Sequence, residues 1–239
     1  PHSRDSLATL LWPEAGQREA RAGLRRTLYR LHESLQQEIL VATTETVALD
    51  PQLALWSDVD RFQQLVADAL PAKHPSAHLP AESLARLVEA AKLYTADFMA
   101  GFTLPDSPDY DEWQFFQREG LRQSLAQVLA QVVFFYQAQE DYEHAIPFAR
   151  RWLALDPLHE PVQRQLMQLY AFAGQQSAAL RQYQECVRLL QEELGAPPEE
   201  ETTALFEAIR TKRLPGLDKV TGWQGDKVTS DKVTSDKVT

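Results

Sequence analysis

The sequence lacks most of the features that mark secreted, metal-binding and membrane proteins. Its 239 residues include one cysteine, Cys186, so no internal disulfide can form, and the neighbouring residues give no metal-ligand spacing. The longest apolar run is shorter than the core of a signal peptide, about 7–15 residues, and than a membrane span of about 18 residues. We therefore predict a soluble protein of the reducing cytoplasm with no membrane association.

Methionine is scarce and positive charge is in deficit. The only methionines are Met99 and Met167, and the chain opens at Pro1, which indicates a piece of a longer protein. Lys and Arg number 24 against 34 Asp and Glu, and the net charge of −10 argues against a nucleic-acid-binding surface. This charge is unevenly distributed. Residues 18–32 contain five arginines and one acid, a net charge of +4, so the rest of the chain carries a net charge of −14.

The N-terminal part of the chain begins with two helical patterns. Ser3 is a candidate N-cap for a short amphipathic helix that runs to Leu11 and stops before Pro13. A basic helix follows at about 17–36, with leucines on one face and arginines on an adjoining stripe. The leucines are Leu24, Leu28, Leu31 and Leu35. We expect the leucine face to pack and the arginine stripe to project into solvent.

Two extended runs follow the basic helix. Residues 39–49 are rich in β-branched side chains and break near Thr44, which favours a hairpin over a helix. Helix, turn, basic helix and hairpin occur here in the order of a winged helix-turn-helix. A helix of this kind fits a major groove about 12 Å wide.

From Ser57 onward the pattern is helical, and Ser57 with Asp60 resembles a capping box. A loop is predicted at 71–80. Gly174 and Gly195 stand just past helix ends, where a left-handed residue is favoured. After the helix that Ser57 begins, the predicted helices are 81–94, 110–138, 142–155, 160–173, 177–194 and 202–212.

Residues of similar kind recur 34 positions apart in the second half, which is the period of tetratricopeptide repeats. The pairs are Tyr136 and Tyr170, Ala145 and Ala179, Val132 and Leu166, and Leu153 and Val187. We expect the alanines to let two helices of a repeat approach closely and the tyrosines to fill space against the next repeat. The helix at 202–212 is expected to cap the last repeat.

Several runs together are similar to one known family. They are SRDSLATLLWPEAGQREARAGLRRTLYRLHESL, TVALDP, WSDVDRFQQL, LYTADFMAGF, DEWQFFQREGLR and the stretch from YEHAIPFARRW to QEELGAPPEEET. In order and spacing they resemble the Streptomyces antibiotic regulatory proteins, which join an OmpR-like DNA-binding domain to a bacterial transcriptional activator domain. The resemblance covers residues 3–213 and leaves the tail unmatched.

The resemblance implies a transcriptional activator that binds promoter repeats as a head-to-tail dimer and contacts RNA polymerase or other transcription proteins. It implies a recognition helix around 18–35 and a wing at 43–46. Family members carry an N-terminal sheet and a first helix before the segment matching Ser3, so we expect an N-terminally truncated winged helix.

The predicted fold class is mainly α: a truncated winged helix-turn-helix with a short β-hairpin, followed by a TPR-like α-helical repeat domain. The boundaries we predict are 1–56 for the DNA-binding domain and 57–214 for the activator domain. Residues 215–239 form a tail that repeats Asp-Lys-Val-Thr and has almost no apolar content, so we predict it to be disordered.

The candidate DNA-binding residues are Arg18, Arg21, Arg25, Arg26, Tyr29, Arg30, Thr43 and Thr44. A merely solvated helix face normally mixes charges of both signs, which this one does not. Arginine can bind guanine or phosphate, and the pattern leaves open which arginine does which. The competing hypothesis is a TPR-like interaction scaffold without DNA binding of its own.

The sequence shows no pattern for catalysis, metal binding or cofactor binding, so we predict no enzyme and no cofactor. His74 and His78 have helical spacing, but Pro75 disfavours the helix that such a metal site needs. The acidic run at 192–201 is typical of a solvated helix terminus. Four tryptophans are expected in the core or at a domain interface: Trp12, Trp56, Trp113 and Trp152.

Overall fold

The computed structural model describes residues 1–36, 39–70, 79–105 and 107–213. The predicted tail at 215–239 and the pair His74 and His78 lie outside these residues. Over the described ranges the order of elements is β1 His2–Ser3, α1 Arg4–Leu11, α2 Gln17–Leu35, β2 Leu40–Ala42, β3 Thr46–Leu49, α3 Asp58–Ala69, α4 Ala81–Leu93, α5 Pro108–Ala138, α6 Tyr142–Leu153, α7 Glu160–Phe172, α8 Gln176–Leu194 and α9 Glu200–Arg210. The mainly α fold class, with an N-terminal hairpin and a helical repeat region, is confirmed.

A three-stranded antiparallel sheet ties the start of the chain to the predicted wing. β2 and β3 form the expected hairpin, and β1 pairs with β3 so that His2 lies opposite Val47. The strand β1 was not predicted. Ser3 acts as the N-cap of α1, because its hydroxyl accepts hydrogen bonds from the backbone N–H of Asp5 and of Ser6.

The helices α1 and α2 pack through a small core. Ala8, Ala20 and Leu24 are buried in it. A Cβ on Gly23 would lie 3.1 Å from the indole ring of Trp12, so the missing side chain at position 23 lets this ring approach the helix. The helix α2 is thereby held against α1 along its N-terminal half.

The prediction of a continuously packed leucine face on α2 is wrong for its C-terminal half. Leu24 is buried, but Leu31 and Leu35 are exposed. The helix α1 has 8 residues and α2 has 19, so at 1.5 Å per residue α1 is about 12 Å long and α2 about 28 Å. The shorter helix cannot cover the whole leucine face of the longer one.

The helices α3, α4 and α5 enclose the first core of the helical region. Phe62, Leu87 and Leu129 are among its buried side chains. Ser57 accepts a hydrogen bond from the backbone N–H of Asp60, as the capping-box pattern predicted. Beyond α5, the guanidinium of Arg151 on α6 donates to the carbonyl oxygens of Ala91 and Tyr94 and so binds the C-terminal end of α4.

The remaining helices stack as the 34-residue period predicted. The helix α5 packs on α6, α6 on α7, and α7 on α8, while α9 packs on both α7 and α8. Ala145 and Ala179 are fully buried at the predicted close approaches, and Tyr170 is buried as well. Gly174 and Gly195 have φ values of 74° and 65°, in the left-handed region expected at helix ends.

The tryptophans differ from one another in environment. Trp12 packs against α2, and Trp152 packs on the core of α3–α5. Trp113 is 38% exposed but contacts Phe98, with 5.8 Å between ring centroids. Trp56 is 72% exposed, so the prediction that it is buried is wrong: residues 54–57, around it, form no regular element.

The N-terminal region contacts the helical region at the start of α5. The buried Ser107 donates its hydroxyl to the carbonyl oxygen of Leu11 at the end of α1, at 3.3 Å. That carbonyl is one of the four that a helix C-terminus leaves without an internal partner. The hydrogen bond therefore helps to set the orientation of α1 relative to the repeats.

A buried carboxylate joins α7 to α9. Glu160, which is 8% exposed, accepts hydrogen bonds from the backbone N–H of Glu199, at 2.9 Å, and from the hydroxyl of Thr202, at 2.6 Å. These groups lie 39 and 42 residues from Glu160 in the sequence. The carboxylate satisfies a donor at the start of α9 and so fixes the capping helix on the last repeat.

Glu160→Gln should destabilise the protein by about 1–3 kcal/mol, because a neutral amide accepts these hydrogen bonds less strongly and brings a donor that finds no acceptor in the site. Urea unfolding followed by circular dichroism measures the change. Glu201→Gln, at an exposed position in the first turn of α9, is the matched control and should change stability by less than about 0.5 kcal/mol. Equal stabilities of the two variants would contradict this role for Glu160.

Candidate nucleic-acid interface

The five predicted arginines of α2 are all exposed. One of them, Arg21, forms an ion pair, with Asp5. In the part of the chain that the structure describes, no carboxylate pairs with the other four. These four are Arg18, Arg25, Arg26 and Arg30. The stripe therefore presents guanidinium groups to solvent, as the sequence predicted.

Helical geometry explains how these side chains come together. Arg18, Arg21 and Arg25 follow each other at i, i+3 and i+7, which places them along one side of α2. Arg26 and Arg30 lie further around the helix, away from the packed leucines. The first two arginines also stand in the first turns of α2, where the helix dipole adds positive potential that favours anions.

The pair Arg21 and Asp5 joins α2 to α1. Two guanidinium nitrogens of Arg21 donate to the two carboxylate oxygens of Asp5, and the Nη2–Oδ2 distance is 2.5 Å. These hydrogen bonds and the charge of Arg21 lower the pKa of Asp5 below its ordinary value. Asp5 is therefore ionised at neutral pH and offsets one positive charge of the stripe.

A groove of about 450 Å³ separates α2 from the wing. It brings together four of the predicted residues, Arg21, Arg25, Thr43 and Thr44, from positions about 20 residues apart. Arg18, Arg26, Tyr29 and Arg30 do not line it. Its lining places two guanidinium groups of α2 beside the wing, an arrangement that suits an anionic group.

Sequence reasoning missed Arg4, which also lines this groove. Its Nε donates to the carbonyl oxygen of Thr43 at 2.7 Å, and its backbone N–H donates to the carbonyl oxygen of Glu45. Arg4 therefore fixes the wing turn against the start of α1 and adds a positive charge to the groove. Because the two partners are 39 residues apart, no local pattern reveals this contact.

The two predicted threonines of the wing differ in their hydrogen bonds. The hydroxyl of Thr43 accepts from the backbone N–H of Thr46 at 2.9 Å and of Glu45 at 3.2 Å, so it shapes the turn. Thr44 is exposed and forms no side-chain hydrogen bond with any described residue. On α2, the Tyr29 hydroxyl donates to Glu33 at 3.1 Å and is 64% exposed.

The described residues hold no group of histidines, cysteines and carboxylates that could bind a metal ion. Burial raises the pKa of the Cys186 thiol to about 11, so this side chain is protonated at neutral pH.

Within the acidic run at 192–201, Glu192 and Glu199 form ion pairs with Arg188 and Arg164. Over the described ranges, no helix is long and apolar enough to cross a membrane.

The solved structure of Mycobacterium tuberculosis EmbR in complex with a low affinity phosphopeptide is similar, with a TM-score of 0.59 and 22% sequence identity. The match covers 90% of this chain and 56% of the EmbR chain, so this chain spans little more than half of that protein's length. At this identity the likeness shows a shared fold. No curated protein matches the chain.

A family model assigns the helical region. The model of the bacterial transcriptional activator domain matches residues 57–210, from the N-cap of α3 to the end of α9. With the EmbR-like fold, this match confirms the resemblance to regulators that carry such a domain. The family is one of transcription regulators. The chain therefore belongs to the bacterial transcriptional activator domain family.

Proposed function

We propose that the chain is a DNA-binding transcriptional activator in which α2 enters the major groove of promoter DNA. The observation that carries this proposal is the exposed arginine stripe, four of whose five members have no carboxylate partner among the described residues. An unpaired stripe of this kind can neutralise phosphates and bind base edges. The acid-rich remainder of the chain discourages non-specific wrapping of DNA.

The wing has a different part in this proposal. The groove between α2 and the β2–β3 turn admits a phosphate of the DNA backbone, which Arg21, Arg25 and Arg4 would neutralise. Thr44 and the backbone of the wing contact the adjacent DNA strand. Phosphate contacts of this type set the register of the helix in the major groove, while Arg18, Arg26 and Arg30 are the candidates for bases or further phosphates.

The two domains have separate roles in the proposed function. Residues 1–56 bind DNA, and residues 57–214 mediate regulation and contacts with RNA polymerase or other transcription proteins. Two copies bind head to tail on tandem promoter repeats. The chain performs no catalysis and uses no cofactor in this role.

Arg25→Ala should weaken DNA binding about tenfold, because Arg25 lies on the stripe and lines the groove. It should also reduce the slope of log K against log salt concentration by about 0.9, the loss of one phosphate contact. Fluorescence anisotropy on a duplex selected from a random-sequence library measures both. Arg210→Ala on α9 removes the same charge from a residue paired with Glu207 and should leave DNA affinity unchanged.

The scaffold hypothesis predicts a different result in the same titration. A protein without DNA binding of its own would retain no duplex even at low salt, where electrostatic contacts are strongest. Unchanged affinity in all five Arg→Ala variants of α2 would likewise exclude the proposed contact.

Asp5→Asn should strengthen DNA binding by about threefold, because it releases Arg21 from its ion pair and removes a negative charge beside the groove. The same titration measures it. Asp68→Asn, at an exposed position of α3, makes the same change in net charge and serves as control. If both variants bind DNA with equal affinity, the pairing of Asp5 with Arg21 has no influence on DNA affinity. In an Arg21→Ala background the gain should shrink to that of the control.

A further inference from the structure

The activator domain has an excess of carboxylates over basic side chains. Residues 57–210 hold 12 Lys and Arg and 23 Asp and Glu, a net charge of −11. Seven of the ten arginines in this range pair with carboxylates: Arg61, Arg86, Arg118, Arg122, Arg164, Arg188 and Arg210. Arg151 donates to two backbone carbonyls. An unpaired arginine is therefore the exception in this domain.

Besides Arg151, two arginines have no carboxylate partner among the described residues. Arg150 on α6 donates its Nε to the hydroxyl of Tyr170, and its guanidinium carbon lies 5.4 Å from the centre of that ring. The Nη groups of Arg150 have no protein acceptor in that part of the chain. Arg181 on α8 is exposed and forms no hydrogen bond or ion pair there.

Both unpaired arginines line the same groove. The helices α6 and α8 each pack on α7 and leave between them a groove of about 510 Å³, with Tyr170 of α7 in its lining. Arg150 lies on the α6 side and Arg181 on the α8 side. The other lining residues are Ala178, Gln182, Gln184, Glu185 and Arg188.

The charge of the groove is positive although Glu185 lies in its lining. Both carboxylate oxygens of Glu185 accept hydrogen bonds from Arg188, and Arg188 also pairs with Glu192. The pairing of one arginine with two carboxylates leaves this cluster with a net charge of −1, so that with Arg150 and Arg181 the groove and its rim carry +1. Arg150 and Arg181 both line the groove, and no carboxylate of the described residues pairs with either of them.

We propose that this groove binds an acidic peptide segment of a partner protein, with Arg150 and Arg181 each holding a carboxylate. Guanidinium groups bind carboxylates through paired N–H donors, and the ring of Tyr170 holds Arg150 in place. From Ala178 to Arg188 the α8 wall rises about 15 Å, which matches four or five extended residues. The exposed amide of Gln184 is suited to hydrogen-bond the backbone of such a peptide, whereas the amide nitrogen of Gln182 donates to Gln163.

Peptide fits this groove better than nucleic acid does. The surrounding domain has a net charge of −11, which repels a polyanion longer than the groove, whereas a short segment with two carboxylates meets the local positive charge. The proposal deepens the part of the proposed function that gives protein contacts to the activator domain. It does not involve α2 or the wing.

The test uses the whole chain and a fluorescein-labelled peptide of about eight alternating glutamate and glycine residues, with a glutamine version as its uncharged counterpart. Anisotropy should show binding of the glutamate peptide alone. Arg181→Ala and Arg150→Ala should each weaken it about tenfold, while Arg210→Ala should bind as the unchanged protein does. Thermal unfolding should be unchanged for Arg181→Ala, since its side chain has no hydrogen bond or ion pair with a described residue to lose.

Several results would overturn the proposal. One is equal affinity for the two peptides, and another is equal affinity in Arg181→Ala and Arg210→Ala. Self-association of the chain that disappears in Arg181→Ala would assign the groove to a second copy. A loss of DNA affinity in Arg181→Ala would assign it to nucleic acid. Failure of the peptide to bind while α2 variants still lose DNA affinity would dismiss this groove alone and leave the proposed function standing.

Discussion

The position of α2 relative to the wing depends on one small set of contacts. Trp12 packs closely on Gly23, and beside it Ala8, Ala20 and Leu24 form the core between α1 and α2. The strand β1 and the side chain of Arg4 then connect the start of α1 to the wing. Because α1 contacts both α2 and the wing, Arg21 and Arg25 of α2 line one groove together with the turn of the hairpin.

Charge is distributed unevenly between the two parts of the chain. Among the described residues, four guanidinium groups of the stripe on α2 have no carboxylate partner, while seven of the ten arginines of the activator domain pair with its own carboxylates. Guanidinium groups without a carboxylate partner at two separate places are available to bind anions. We propose DNA as the ligand of the first of these surfaces and an acidic peptide as the ligand of the second.

Most of the fold could be predicted because its signals are local. The capping residues Ser3 and Ser57, the left-handed Gly174 and Gly195, and the 34-residue recurrence of Ala145 and Ala179 each determine a helix end or a close approach. The family resemblance rests on the same local runs. The arginine stripe was predictable too, since helical periodicity alone places it on one side of α2.

The sequence by itself therefore determined which segments form helices and hairpin, where most of them begin and end, and which face of α2 carries the arginines. Only the tertiary structure decided which charges are neutralised and which surfaces are covered. Asp5 pairs with Arg21, Glu160 lies buried at the start of α9, Leu31 extends beyond α1, and Trp56 stays in solvent. Such outcomes depend on the lengths and packing of elements far apart in the chain, which short-range patterns do not encode.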